Sequence, residues 1–255
     1  MSRPKILITN DDGISSQGIY ALCEAMNEVG ETFIAAPSTE QSASSHSITL
    51  SDPIRVRSIE KKNGFRGWSI GGTPADCVKI AIKSLMLDRP DIIISGINQG
   101  ANLGSNIIYS GTVSAATEGM IQGISSIAIS LASFNTDNYE GVKIYAKKIV
   151  RHVIEHGLPK GTLLNVNVPY CDYKDIKGMK VTSQGSQYFV DEFEERIDPR
   201  NSKYYWIKGK MIDEDQSIDY DGKAIKEHYV SITPIHFQLT NDLYLEDLKK
   251  QFSYE

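Results

Sequence analysis

The sequence predicts an α/β protein, with a doubly wound, mostly parallel sheet as its core, a projecting C-terminal β-hairpin and a closing helix. Three observations support this prediction. Short apolar runs such as residues 6–8 recur along the chain, and runs of this kind become strands that are buried on both faces. Segments with the apolar spacing of amphipathic helices separate them, as in βαβ units. From residue 180 onward the helical spacing is lost, and aromatic residues interleave with acidic runs.

The first predicted unit is a strand over residues 6–8, a helix whose apolar positions begin at Ile19, and a second strand over 32–36. Gly30 is placed to end the helix, and the crossover between the two strands should be right-handed. A polar, serine-rich loop follows over residues 38–51.

The next elements extend the predicted core to about residue 169. Two short strands over 54–56 and 68–70 flank a turn at 61–64. Thr73 caps a helix whose buried face reaches Leu85 and which ends at Arg89-Pro90. The later core elements are a strand over 91–95, a glycine-rich polar stretch over 95–112, a helix that begins at Ser110-Gly111-Thr112, a strand over 126–131, a helix with its apolar face over 142–153, and a strand over 163–169.

Residues 181–190 and 203–210 are predicted to be the arms of a hairpin around an acidic turn at 198–201. A lone hairpin has little stability unless it packs against something. We therefore expect the segment over 187–212 to mediate subunit assembly, although it could instead fold over its own core as a lid or edge strand. The segment contains six aromatic residues, Tyr188, Phe189, Phe193, Tyr204, Tyr205 and Trp206.

A strand over 228–234 and a short helix over 243–252 end the predicted fold. The sequence thus suggests a catalytic core over residues 1–180. The second part, residues 181–255, would hold the hairpin, the returning strand and the closing helix. Together they would form one domain, which is consistent with the length of the chain.

Composition excludes several classes of protein. The formal net charge of −5 argues against a surface for duplex nucleic acid. No apolar run approaches the length that spans a bilayer, and a strand that begins at residue 6 leaves no room for a signal peptide. We therefore expect a cytoplasmic protein without a membrane partner. The cysteines lack the paired spacing of a disulfide framework or a zinc site; they are Cys23, Cys77 and Cys171.

Oxygen-bearing side chains follow three predicted strands. Asp11 and Asp12 follow the first strand, the loop over 38–51 follows the second, and Asn98 stands just beyond the strand over 91–95. The carboxyl ends of parallel strands share one edge of a sheet, where α/β proteins bind ligands. Hard oxygen ligands suit Mg²⁺ or Mn²⁺. Each segment also has a simpler interpretation, as a capped surface turn or as a flexible serine-rich connection.

Ser110-Gly111-Thr112 opens a helix, and the N-terminus of a helix is a ready site for phosphate. The glycines around it would let backbone amides approach an anion closely; they are Gly96, Gly100, Gly104 and Gly111. The alternative is that Thr112 is an ordinary helix cap.

Several other chemistries lack their motifs. The first strand is not followed by GxGxxG, and GxxxxGK[ST] and GxSxG occur nowhere, so dinucleotide binding, a P-loop and a serine hydrolase are disfavoured. A phosphoaspartyl mechanism would need a carboxylate two positions before Asp12, where Asn10 stands.

Over nearly its whole length the chain resembles the SurE family of stationary-phase survival proteins, which are metal-dependent 5′/3′-nucleotidases. The motifs that carry the resemblance are Thr9-Asn10-Asp11-Asp12-Gly13, Ala36-Pro37 followed by Gln41-Ser42-Ala43-Ser44, Gly72-Thr73-Pro74-Ala75-Asp76-Cys77, Ser95-Gly96-Ile97-Asn98 with Gly100, Asn102 and Gly104, Tyr109-Ser110-Gly111-Thr112-Val113 with Ala115, Ala116, Glu118 and Gly119, Asn165-Val166-Asn167-Val168-Pro169, and Tyr229-Val230-Ser231-Ile232-Thr233-Pro234.

The resemblance implies a Rossmann-like core and a role for each site residue. One divalent ion per subunit would be held by Asp11, Asp12, Ser42 and Asn98. The phosphate would be bound by Asn102, Ser110, Gly111 and Thr112. The catalytic set would be Asn10, Asp11 and Asp12, in which an acidic residue orients the attacking water.

The resemblance also implies substrates and partners. The substrates would be nucleoside 5′- and 3′-monophosphates, and short polyphosphate is a further candidate. A homodimer or homotetramer would form by exchange of the C-terminal arm. Two departures from the family pattern bear on assembly, His228 before the last strand and the acidic stretch over 191–196. The rival hypothesis is a nucleotide-sensing binding module without turnover.

Overall fold

The structure, a computed structural model, describes residues 3–60 and 65–252. Within those ranges the strands are β1 (Lys5–Thr9), β2 (Glu31–Pro37), β3 (Val56–Glu60), β4 (Arg66–Ile70), β5 (Ile92–Gln99), β6 (Ser125–Leu131), β7 (Leu163–Val168), β8 (Gly178–Val181), β9 (Tyr188–Ile197), β10 (Lys203–Ile212) and β11 (Tyr229–Ile235). The α-helices are α1 (Gln17–Asn27), α2 (Pro74–Ile80), α3 (Gly111–Ile121), α4 (Glu140–His156), α5 (Asp221–Lys226) and α6 (Asp242–Gln251).

Nine of these strands form one sheet in the order β3-β4-β2-β1-β5-β6-β7-β11-β8. The pairs from β4 to β7 are parallel, whereas β3 pairs antiparallel with β4 and β11 pairs antiparallel with β7. The predicted α/β class with a projecting hairpin is therefore confirmed. The sheet also takes in β8 and β11, so it includes strands from both sides of residue 180.

The core lies on both faces of the sheet because successive side chains of a strand point to opposite sides. Ile6 and Ile8 of β1 pack in a cluster with α1 and α4. Leu7, between them, packs in a second cluster with residues of α2 and α3. The three apolar residues of β1 are fully buried, which explains why the sequence shows an unbroken apolar run there.

Two predicted boundaries are wrong, and a third prediction is not tested. The helix predicted from Thr73 to Arg89-Pro90 is α-helical only over Pro74–Ile80, and it continues as a π-turn that ends at Leu85. Asn98 lies inside β5, which runs on past residue 95 with a shift of register between Gly96 and Asn98. The predicted turn at 61–64 lies outside the described residues.

The first arm predicted for the hairpin, residues 181–190, is also wrong. Val181 ends β8 in the main sheet, and the hairpin begins only at Tyr188. The residues between them are held as a loop because Gly185 N donates to Asp221 Oδ1 at 3.0 Å and Ser186 N donates to Asp215 Oδ2 at 2.7 Å. These bonds use amides that a continuous strand would need for its ladder.

The base of the hairpin touches a short 3₁₀ turn over Gly104–Tyr109. Ser105 N donates to Gln187 O at 2.9 Å, and Gln184 Nε2 donates to Gly104 O at 2.9 Å. Beyond this base β9 and β10 form a two-stranded sheet of their own among the described residues, and most of their side chains are exposed.

The closing helix α6 buries none of its residues. Among the helices in the described ranges, none combines the length and the apolar character needed to cross a membrane.

Candidate functional site

A cleft of about 640 Å³ opens where β1 and β5 end, and it brings together most of the residues predicted for the site. Six of them line it: Asp11, Asp12, Ser42, Asn98, Asn102 and Ser110. Asn10, Gly111 and Thr112 do not line it. Sequence reasoning missed further residues of the lining, among them Glu40, Asn106, Tyr109, Phe134 and Tyr139.

A larger groove of about 930 Å³ lies between α1 and α4. Two ion pairs connect these helices, Lys143 with Glu24 at 2.8 Å and Lys147 with Glu28 at 2.9 Å. None of the predicted site residues lines this groove. Its size alone does not make it a catalytic site, and we place the candidate site in the smaller cleft because the oxygen donors are there.

Asp11 is only 5% exposed and is held on two sides by the start of α3. Its Oδ1 accepts a hydrogen bond from the hydroxyl of Thr112. A Cβ on Gly111 would lie 2.7 Å from Asp11 Cβ, so only glycine fits at this point without displacing the carboxylate. The main-chain oxygen of Asp11 accepts from Gln41 N at 2.8 Å and so fixes the start of the serine-rich loop.

The cleft is crowded with negative charge. Burial, followed by the charges of Asp11 and Glu40, raises the pKa of Asp12 to about 7. Burial raises the pKa of Asp11 too, although the hydrogen bond from Thr112 opposes the rise. Among the described residues that line the cleft there is no Lys, Arg or His to offset these carboxylates. These carboxylates, where ionised, would repel a phosphate.

The oxygen donors at the cleft suit a hard divalent ion. Asn98 donates its Nδ2 to Gly100 O at 2.7 Å, which leaves its Oδ1 available as a ligand atom. Ser42 Oγ lies 2.5 Å from Glu40 Oε1 and donates to it. In the described part of the chain no three His, Cys, Asp or Glu side chains group as a metal site would. The candidate set differs from such a group because Ser42 and Asn98 supply its neutral oxygens.

Asn102 is fixed by a buried network of amides from β7. Its main-chain N donates to Asn167 Oδ1 at 2.8 Å, and its main-chain O accepts from Asn165 Nδ2 at 2.9 Å and from Asn167 Nδ2 at 3.0 Å. Its own Nδ2 donates to Ser130 Oγ at 2.8 Å. The Asn165–Val168 part of the sequence motif therefore holds the cleft-lining loop in place.

Ser110 is the N-cap of α3, and its Oγ accepts from Val113 N at 3.1 Å while it also lines the cleft. Thr112 is fully buried, and its hydroxyl is directed at Asp11. Asn10 is fully buried as well, with Nδ2 donating to Gly13 O at 3.0 Å and to Ser16 Oγ at 2.8 Å. Asn10 thus holds the turn after β1.

The serine-rich loop over 38–51 is anchored to α2 and α3. Glu118 of α3 is 2% exposed; its carboxylate is hydrogen-bonded to His46 Nε2 at 3.1 Å and accepts from Lys79 Nζ at 3.0 Å. Burial alone would raise the pKa of Glu118, but hydrogen bonds from His46, Gln122 and Lys79 outweigh it and lower the pKa to about 2. Asp76 adds a further anchor by accepting from Thr49 N at 3.1 Å.

Comparisons of the sequence and of the fold with known proteins point to the same family. Residues 6–191 match the family model described as survival protein SurE. The chain is 46% identical over 250 residues to the 5′-nucleotidase SurE of Syntrophomonas wolfei, covering 98% of this chain and 95% of the relative. It is 44% identical over 257 residues to the 5′-nucleotidase SurE of Caldanaerobacter subterraneus, covering 100% and 99%. The crystal structure of the SurE protein from Aquifex aeolicus aligns with a TM-score of 0.85 at 39% identity, covering 97% of this chain and 99% of that one.

Proposed function

The chain belongs to the SurE family, and from that premise we propose that it removes phosphate from nucleoside 5′- and 3′-monophosphates with the help of a divalent metal ion, Mg²⁺ or Mn²⁺. That it is a nucleotidase follows from its relatives, which match it over nearly the full length of both chains. The metal requirement rests on one observation above all. The carboxylates of Asp11 and Asp12 share a cleft whose described lining offers no cationic side chain to a phosphate.

In this proposal Asp11, Asp12, Ser42 and Asn98 hold one ion per subunit. When bound, such an ion would offset the negative charge of the phosphate and lower the pKa of a water molecule. Thr112 orients Asp11 by its hydrogen bond, and Gly111 leaves room for the carboxylate.

The phosphate binds at the start of α3 in the same proposal. The hydroxyl of Ser110, the N-terminal amides of α3 and the side chain of Asn102 are the donors that would stabilise charge on the transferred group. Asp12 lines the wall of the cleft, and in this proposal it also orients the attacking water.

We further propose that subunits assemble as a dimer or tetramer by exchange of the C-terminal arm. The aromatic residues of β9 and β10 support this, because six large rings stay 39–64% exposed in the single chain. Short polyphosphate is a further candidate substrate, and a cytoplasmic location remains our expectation.

The test is a phosphate-release assay on 5′-AMP and 3′-AMP, with the metal-loaded protein and with excess chelator. We expect release from both nucleotides and loss of release with chelator. Full activity in chelator would contradict the metal requirement, and activity on 5′-AMP alone would contradict the 3′ assignment. Nucleotide binding without any phosphate release would favour the binding-module hypothesis.

A further inference from the structure

Two exposed aromatic side chains border the candidate site. Phe134 is 86% exposed and Tyr109 is 61% exposed, and both line the cleft that holds Asp12 and Ser110. Apolar rings of this size are costly to leave in water, and exposed apolar side chains at a ligand cleft are a common sign of binding.

Phe134 rests on the main chain of the cleft. A Cβ on Gly100 would lie 2.5 Å from Phe134 Cε1, so the glycine lets the ring lie directly against the backbone. Gly100 N also donates to Leu131 O at 2.9 Å, which ties this backbone to the end of β6. One side of the ring therefore packs against the backbone at Gly100, and most of its surface faces solvent.

Tyr109 stands next to the proposed phosphate donors. It immediately precedes Ser110, the N-cap of α3, and its main-chain oxygen accepts from Ser45 N at 3.2 Å. The 3₁₀ turn that ends at Tyr109 and the serine-rich loop are thus joined beside the cleft.

The two parts of the cleft differ in chemistry. One part offers carboxylate and neutral oxygens, which suit a metal ion, and beside them hydroxyl and amide donors, which suit a phosphate. The other offers the faces of Phe134 and Tyr109, and a planar heteroaromatic base stacks well on such faces. We propose that Phe134 and Tyr109 form the nucleobase-binding part of the cleft and contact the base by stacking. The inference rests on the proposed nucleotidase function. It adds that these two rings make the enzyme bind a nucleotide more tightly than a phosphomonoester without a base.

Stacking depends on the π face that every base has, so this part of the cleft favours nucleotides as a class and discriminates weakly among bases. Purines offer the larger face and should bind more tightly than pyrimidines. The contribution should appear in KM, because the base does not change during phosphate transfer.

The test compares AMP with ribose 5-phosphate, which lacks the base, in the parent and in the Phe134→Ala and Tyr109→Ala variants. We expect each substitution to raise KM for AMP about tenfold, with KM for ribose 5-phosphate unchanged. Phe134→Tyr keeps a ring and should retain the KM of the parent. Leu87→Ala is the matched control, because Leu87 is fully exposed beside Asp88, which pairs with Lys5 at the opposite edge of the sheet.

Equal losses on the two substrates would overturn the inference, since the rings would then shape the cleft without contacting the base. An unchanged KM for AMP in both alanine variants would overturn it too. Equilibrium dialysis of AMP separates this inference from the proposed function. If the parent released no phosphate but bound AMP about tenfold more tightly than the alanine variants, the nucleotidase proposal would fail and the stacking site would stand.

Discussion

Ser110 and Thr112 stand two residues apart at the start of α3, yet their hydroxyls have different partners. Ser110 caps the helix and faces the cleft, whereas Thr112 donates to the buried carboxylate of Asp11. The pattern of the sequence predicts that this helix start lies near the site, because it follows β5 by a glycine-rich stretch. The direction of each hydroxyl depends on the first turn of the helix and on the packing of Gly111 against Asp11, and neither can be read from residue types.

Replacing Thr112 by Val should weaken metal binding about tenfold and lower phosphate release accordingly. The substitution keeps the shape of the side chain but removes the hydrogen bond to a charged group that orients Asp11. Calorimetric titration with Mn²⁺ measures the affinity. Thr117→Val is the control, because Thr117 Oγ1 donates only to Val113 O within the same helix. Unchanged affinity in Thr112→Val would show that Asp11 does not depend on this bond.

Replacing Asp12 by Asn should lower phosphate release by about 100-fold or more, because one of the two charged ligands becomes neutral. The variant should nevertheless melt no lower than the parent in chelator, since it loses a carboxylate crowded by Asp11 and Glu40. Phosphate release and thermal melting measure the two effects. Asp88→Asn, on the exposed pair with Lys5, is the control. Full activity in Asp12→Asn would contradict its role as a ligand.

At the scale of elements, the serine-rich loop has a defined structure because side chains of α2 and α3 bind it. Its sequence is typical of a flexible connection, and nothing local indicates that His46 reaches a buried glutamate 72 residues later in the chain. Other elements are predictable because their signals are local, as with Thr73, which caps α2 in a reciprocal pair with Asp76. The end of α2 is less predictable, because the π-turn after Ile80 keeps the apolar positions of a helix.

Replacing Glu118 by Gln should lower the free energy of unfolding by on the order of 3 kcal/mol at neutral pH. Folding lowers the pKa of this carboxyl from 4.5 to about 2, so its contribution is complete above pH 4.5 and is lost as the pH falls toward 2. Urea unfolding across this range should show a weaker pH dependence in the variant than in the parent. Glu155→Gln, exposed on α4, is the control. Parallel pH profiles for parent and Glu118→Gln would contradict the assignment.

At the scale of the whole molecule, parallel strands bring the segments at the ends of β1, β2, β5 and β6 to one edge of the sheet. This arrangement is predictable, because β1, β2 and β5 are all followed by polar residues and parallel strands end at a common edge. The position of β11 is not predictable in the same way. It lies between β7 and β8 and pairs antiparallel with β7, so its place depends on contacts between residues far apart in the sequence.

Replacing residues 188–212 by a short Gly-Ser link should convert the assembly into a folded monomer that still binds metal. Tyr188 and Ile212 are paired in the hairpin, so a short link can join the chain at its base. The cut leaves Gln187 in place because its main-chain oxygen accepts from Ser105 N. Light scattering gives the mass, and a variant that kept the parent's mass would exclude the hairpin from assembly. Deleting only the tip, residues 198–201, is the control for the link.

The contact between the hairpin base and the 3₁₀ turn has a consequence for regulation. Asn106 lines the cleft, and the same turn is bonded to Gln184 and Gln187 at the root of the arm. If the arm joins subunits, nucleotide affinity and the association constant of the subunits are thermodynamically linked through this turn. Linkage is reciprocal, so the factor by which nucleotide tightens association equals the factor by which association tightens nucleotide binding. Dilution would then act on the enzyme as an inhibitor does, and saturating nucleotide would hold the subunits together.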